Sequence, residues 1–109
     1  MAQLSPSTWQ TIEQQTAALA ASTLKGYTTQ AEQDGKAFLT ATENQIATWL
    51  AQLAAGDITQ DNFASLVRGQ ASLAQMTALK QAGLAQVALD NFVNGFLNIV
   101  ITAAIASIP

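Results

Sequence analysis

Seven carboxylates and four cations form the whole charged complement of this chain of 109 residues, and it has no histidine and no cysteine. The carboxylates are Glu13, Glu32, Asp34, Glu43, Asp57, Asp61 and Asp90. A helical carboxylate metal centre needs several of these facing one another across a bundle, usually with a Glu-x-x-His pair, and that pattern is missing. Without histidine the commonest general base and metal ligand are both absent. Serine, threonine and lysine occur with no neighbouring base to activate them, and no glycine-rich phosphate loop is present. The expectation is therefore a non-catalytic chain without metal or cofactor. The spacing of Glu32 and Lys36 is that of an ordinary solvated ion pair on a helix.

A second group of polar residues carries recognition chemistry instead. Asn91, Asn94, Asn98 and Thr102 recur at three- and four-residue intervals and so share one helix face, while Phe92, Phe96, Leu97, Ile99, Val100, Ile101 and Ile105 fill the rest. Amides and hydroxyls on such a face must find hydrogen-bond partners if they are covered, because an unpaired one costs about 1–3 kcal/mol. Residues 92–109 hold no charged side chain at all. A helix facing water normally sets a charged side against its apolar stripe, so something besides bulk water is expected to cover this end.

The elements that would position these residues read as two long helices and one turn. Pro6 suits a first helical turn with Ser5 as its N-cap, and Gly56 suits the left-handed position that closes a helix, which predicts helix one over 6–55. A turn over 56–59 follows. Thr59 is the expected N-cap of helix two, Asp61 favours its first turn, and Ile58 is placed to staple onto Phe63. No proline interrupts from Gln60 to Ile108, which predicts helix two over 60–108, with Gly69, Gly83 and Gly95 as isolated costs inside it.

Helix one carries an eleven-residue repeat: Tyr27, Phe38 and Trp49; Leu24, Gly35 and Ile46; Leu39 and Leu50; with Lys25 and Lys36, and Glu32 and Glu43, following the same interval. Eleven residues in three turns keep one stripe on one face of a nearly straight helix, so Asp34-Gly35 is expected inside a continuous helix. The weaker version in helix two runs through Leu66, Thr77, Ala88 and Ile99, then Val67, Ala78, Leu89 and Val100, then Leu73, Leu84 and Gly95. Ala71, Ala74, Ala78, Ala82, Ala85 and Ala88 would let a neighbouring helix approach closely.

The predicted fold is all-α: a long antiparallel helical hairpin of two helices of about 48–50 residues, each roughly 70 Å long, in a single domain over 1–109. Residues 1–24 then lie beside residues 92–109. Only Glu13 among the charged side chains falls in those two segments. Two isolated helices leave much apolar surface wet, so the hairpin is expected to assemble into a bundle or larger helical oligomer.

Composition narrows the partners. Half of the residues are apolar and only 10% charged, which excludes an extended disordered chain. A net charge of −3, with Lys25, Lys36, Arg68 and Lys80 as the only cations, gives no basic patch for a nucleic acid. The amino terminus lacks a basic segment followed by an apolar one, so synthesis in the cytoplasm without a cleaved signal peptide is expected. Granule coats, secreted hairpin effectors and filament subunits share the shape, but the Trp-x-Gly turn of the effectors is missing and no diagnostic motif of the others is present.

Three functions stay open on the sequence. The first is a self-assembling helical hairpin, a homo-oligomer that buries its charge-poor end against copies of itself through Trp9 and the apolar residues of 92–105. The second is a lipid-coating or membrane-active protein docking through residues 92–109, with Trp9 at the interface. The third is an adaptor or inhibitor completing the bundle of a helical protein partner.

Overall fold

Ser5 begins the first helix as expected: its Oγ accepts from the Thr8 backbone N–H at 3.2 Å, and Pro6 occupies the first helical position. In the computed structural model, which describes residues 4–74 and 76–108 and all of their side chains except those of Ser72 and Leu73, this helix is α1, Pro6–Thr23. Residues 1–3, Pro109 and the side chain of Leu73, which entered the reading of the charge-poor end and of the second repeat, lie outside the described residues.

The single helix expected over 6–55 is two helices. After α1 the chain turns at Leu24–Tyr27, and α2 runs from Thr28 to Ala54. The turn is local chemistry reinforced by burial. Gly26 takes φ +89°, a conformation that L side chains rarely adopt, while the Ser22 and Thr23 hydroxyls both donate to the Leu19 carbonyl in the last turn of α1. Folding back buries Ile12, Ala20 and Leu24, which a straight rod would leave wet. Within α2 the eleven-residue stripe holds, with Phe38, Leu39 and Ile46 buried and Trp49 and Leu50 half-buried against the same core, while its first members Leu24 and Tyr27 lie in the turn before the helix. The helix is continuous through Asp34 and Gly35.

The predicted turn at 56–59 is present. Gly56 takes φ +83°, and the Asp57 N–H donates to the Gln52 carbonyl at 2.9 Å, closing the end of α2. The third helix, α3, spans Gln60–Arg68, and Thr59 caps it reciprocally with Asn62: Thr59 Oγ1 accepts from the Asn62 N–H at 3.1 Å, and Asn62 Oδ1 accepts from the Thr59 N–H at 3.1 Å. Phe63 is fully buried beneath the turn, and Ile58 lies half-buried on the core. Thr59→Ala is expected to cost about 1 kcal/mol, seen as a lower urea midpoint with an unchanged slope.

The helix expected over 60–108 is broken twice. A 3-10 turn, Gly69–Leu73, follows α3; a short helix α4 covers Thr77–Gln81; and α5 runs from Gln86 to Ala106. Met76 sits in the left-handed region at φ +49° and Gly83 at φ +90°, so Gly83 is a stop rather than a tolerated cost. The alanine row that separates α3 from α5 offers little apolar surface per turn. A straight helix there gains less burial than the folded-back chain does.

These five helices occupy 42 × 24 × 23 Å with a radius of gyration of 13.6 Å, in place of a rod of roughly 70 Å. α2 meets every other helix of the bundle, and α5 packs most extensively on α1. Phe96 is wholly buried, edge-on to Phe38 at 5.5 Å between centroids and stacked with Phe92 at 6.1 Å. Two glycines make the crossings possible. A Cβ on Gly35 would stand 3.0 Å from Phe96 Cε1, and one on Gly95 would stand 2.9 Å from Leu19 Cδ2.

Candidate functional site

The residues expected to cover the charge-poor end divide into two sets. Phe92, Phe96, Leu97, Val100 and Ile101 are buried in the chain's own core, so α1, α2 and α3 already supply much of the cover that the sequence demanded. Ile99 and Ile105 are half-buried at the edge of that core. Trp9 is half-buried too, and it is anchored: its Nε1 donates to Glu43 Oε2 at 2.5 Å, and the same oxygen accepts from the Leu4 N–H at 3.2 Å. Glu43 thereby ties the start of α1 to the middle of α2. A carboxylate accepting from two N–H groups in a partly buried place forms stronger bonds than a neutral acceptor would.

The polar stripe faces outward. Asn91, Asn94, Asn98 and Thr102 are all exposed, and Arg68 at the end of α3 donates from Nη2 to Asn98 Oδ1. Two residues extend this stripe: Val87, which the sequence reading left out, and Ile105, which it counted with the apolar face. Val87 is the most exposed large apolar side chain among the described residues, at 73%, and it lies one turn before Asn91; Ile105 lies one turn after Thr102. At 3.6 residues per turn the six side chains fall within about 80° of arc. Their spacing is three or four residues throughout, which was the available signal for the longer row.

The row reads nearly the same from either end. Reversed about its midpoint near Phe96, Val87 meets Ile105, Asn91 meets Thr102, and Asn94 meets Asn98. A carboxamide carries two donor hydrogens and an acceptor oxygen, so Asn can pair with Asn. No charged residue belongs to the row itself, although the Arg68 guanidinium rests on Asn98 and Asp90 lies beside the row, where its Oδ1 accepts from Gln86 Nε2 at 2.8 Å.

One charged group away from this row is built into the fold. Asp34, 7% exposed, sits inside α2 with both oxygens directed at the start of α4: Oδ1 accepts from the Ala78 N–H at 3.0 Å and Oδ2 from the Leu79 N–H at 2.8 Å. It caps a helix more than forty residues away in sequence, a role that nothing local in the sequence announces. Among the described residues no three acidic side chains gather as they would around a metal ion. The turn residues Gly56, Ile58, Thr59 and Phe63 lie at the junction of α2 and α3, where they build the fold. Neither a protein-family model, nor a curated protein, nor a solved structure matches this chain.

Proposed function

We propose that the chain is a non-catalytic helical assembly protein whose contact surface is the outer row of α5, and that its partner is a second copy of itself. The observation that carries this reading is the uncharged, near-palindromic row Val87, Asn91, Asn94, Asn98, Thr102 and Ile105. In a two-fold pair the same patch meets itself, so residue i of one copy contacts residue j of the other and the reverse. Antiparallel α5 helices would set valine against isoleucine at the two ends and amide against amide in the middle. Buried asparagines of this kind fix register in helix pairs at some cost in stability.

One helix face buries an area at the small end of specific interfaces, so association is expected to depend on concentration. Light scattering coupled to size exclusion is the test. The native chain should shift from monomer towards a pair as concentration rises. Asn94→Glu together with Asn98→Glu, which places four like charges at the centre of the pair, should leave a monomer with an unchanged helical circular dichroism spectrum. A native chain that stays monomeric at every concentration removes the reading.

A lipid-facing reading has one observation in its favour: α5, at 21 residues with a mean hydropathy of 1.4 over its best window, is long and apolar enough to cross a membrane. The core helix of a soluble protein meets the same criterion, and 44% of that window is already buried within the chain. Lipid would have to take the place of α1, α2 and α3 around Phe92, Phe96 and Val100. Flotation of the protein with liposomes tests it, and failure to float with either neutral or anionic vesicles removes it.

A further inference from the structure

Arg68 meets the outer row of α5 with a full positive charge and a neutral partner. It is exposed at the end of α3, and its Nη2 donates to Asn98 Oδ1, a carboxamide that carries no charge to offset it. A guanidinium has five N–H donors in a planar fork that suits a carboxylate, so donors remain after this bond. Asp90, also exposed, stands on α5 ahead of Asn98, and its Oδ1 accepts from the neutral Gln86 Nε2. Asp90 and Asn98 are about 12 Å apart along the helix, so the two charges do not meet within one chain while Arg68 rests on Asn98.

Both groups lie on one flank of the row. At about 100° per residue, Gly95 falls beyond the Thr102 edge of the row, and Asp90, Leu97 and Ile101 fall beyond the Asn94 edge. α1 takes the first flank, where Leu19 lies on Gly95, and α2 stands behind the row, where Phe38 meets Phe96. α3, which also packs on α5, holds the remaining flank over the buried Leu97 and Ile101, and Arg68 reaches Asn98 from there.

We infer that Arg68 of each copy pairs with the partner's Asp90 when two α5 rows meet antiparallel, an inference that rests on the self-association proposed above. Turned about the midpoint near Phe96, Asn98 faces the partner's Asn94, and Thr102 faces the partner's Asp90 and Asn91, about 6 Å along the helix from Asn98. A two-fold axis perpendicular to both helices keeps each flank on its own side of the pair. Arg68 and the partner's Asp90 therefore stand on the same side, and the contact recurs by symmetry. A turn of the Arg68 side chain brings its fork onto the carboxylate at the rim. Parallel rows would put the two groups on opposite sides, so these ion pairs select the antiparallel arrangement.

Charge reversal tests this by light scattering coupled to size exclusion, at a concentration where the native chain is paired. Arg68→Glu alone and Asp90→Arg alone each replace two attractions with two repulsions, and each is expected to weaken pairing at least about tenfold. The double variant, with both reversals in one chain and the native net charge, should recover native pairing. Arg68→Gln and Asp90→Asn serve if a reversal disturbs the circular dichroism spectrum: pairing of either should lose most of its dependence on salt. A native chain that pairs while both single reversals pair equally well overturns the inference and leaves self-association standing, as does a double variant no stronger than the singles. A native chain that never pairs removes both.

Discussion

Phe96→Ala is expected to lower the stability of the fold by about 3–5 kcal/mol, the range for removing a large aromatic side chain from a packed interior. The ring is wholly buried and meets both Phe38 and Phe92, so the substitution also forfeits two aromatic contacts worth about 0.5–1.5 kcal/mol each. Collapse around the void is limited because Phe96 stands where α1, α2 and α5 cross and lies against Gly35, whose missing side chain it fills. Small domains hold only about 5–15 kcal/mol in total, so the variant should lose a large share of its stability. Urea unfolding followed by circular dichroism measures the loss. The loss should be the same at low and high protein concentration, because the ring serves the interior of one chain; a variant that keeps its monomer stability and loses only an oligomer would place Phe96 at an interface instead.

Asp34→Ala is the second large effect, expected at about 2–4 kcal/mol. Two backbone N–H groups lose a charged acceptor, and the one on Leu79 is deep in the core, where an unpaired donor costs about 1–3 kcal/mol. The consequence is local before it is global. α4 has only five residues, too few to persist without tertiary support, and it follows the left-handed Met76. Amide hydrogen exchange at Ala78 and Leu79 should accelerate by orders of magnitude in the variant while Phe96 and Val100 in α5 stay protected. Asp34→Asn keeps one acceptor oxygen and should fall between the alanine variant and the native chain. Unchanged exchange at both amides would show that the carboxylate does not hold α4 in place.

What was legible in the sequence follows the range of the interactions involved. The turn between α2 and α3 could be read residue by residue because Gly56, Ile58, Thr59 and Phe63 act within a few positions of one another. The stripe Phe38, Leu39 and Ile46 was legible for the same reason, since an eleven-residue period is a property of one helix. The breaks at Gly26 and Gly83 were not. An isolated glycine costs about 1 kcal/mol inside a helix, a sum that burial elsewhere can outweigh in either direction, so its outcome depends on residues far along the chain. Gly35 and Gly95 illustrate the other outcome: they remain within helices, packed against Phe96 and Leu19.

The candidate contact residues divided along the same line. Periodicity placed Asn91, Asn94, Asn98 and Thr102 on one face, and they are exposed together. It did not separate the apolar residues of 92–105 into those that meet the chain's own helices and those at the edge, because a helix apolar around most of its circumference leaves several rotations open. Contacts with α1, α2 and α3 chose among them.

By itself, then, the sequence determined the all-helical class, the α2–α3 turn, the stripe of α2 and a carboxyl-terminal helix that water alone could not cover, because each rests on residues within a few turns of one another. Tertiary structure alone decided that the chain folds back into five helices instead of extending as two. Only a folded-back chain could bury α5 within one molecule and bring Asp34 to the start of α4, contacts whose free energy is spread over partners tens of residues apart.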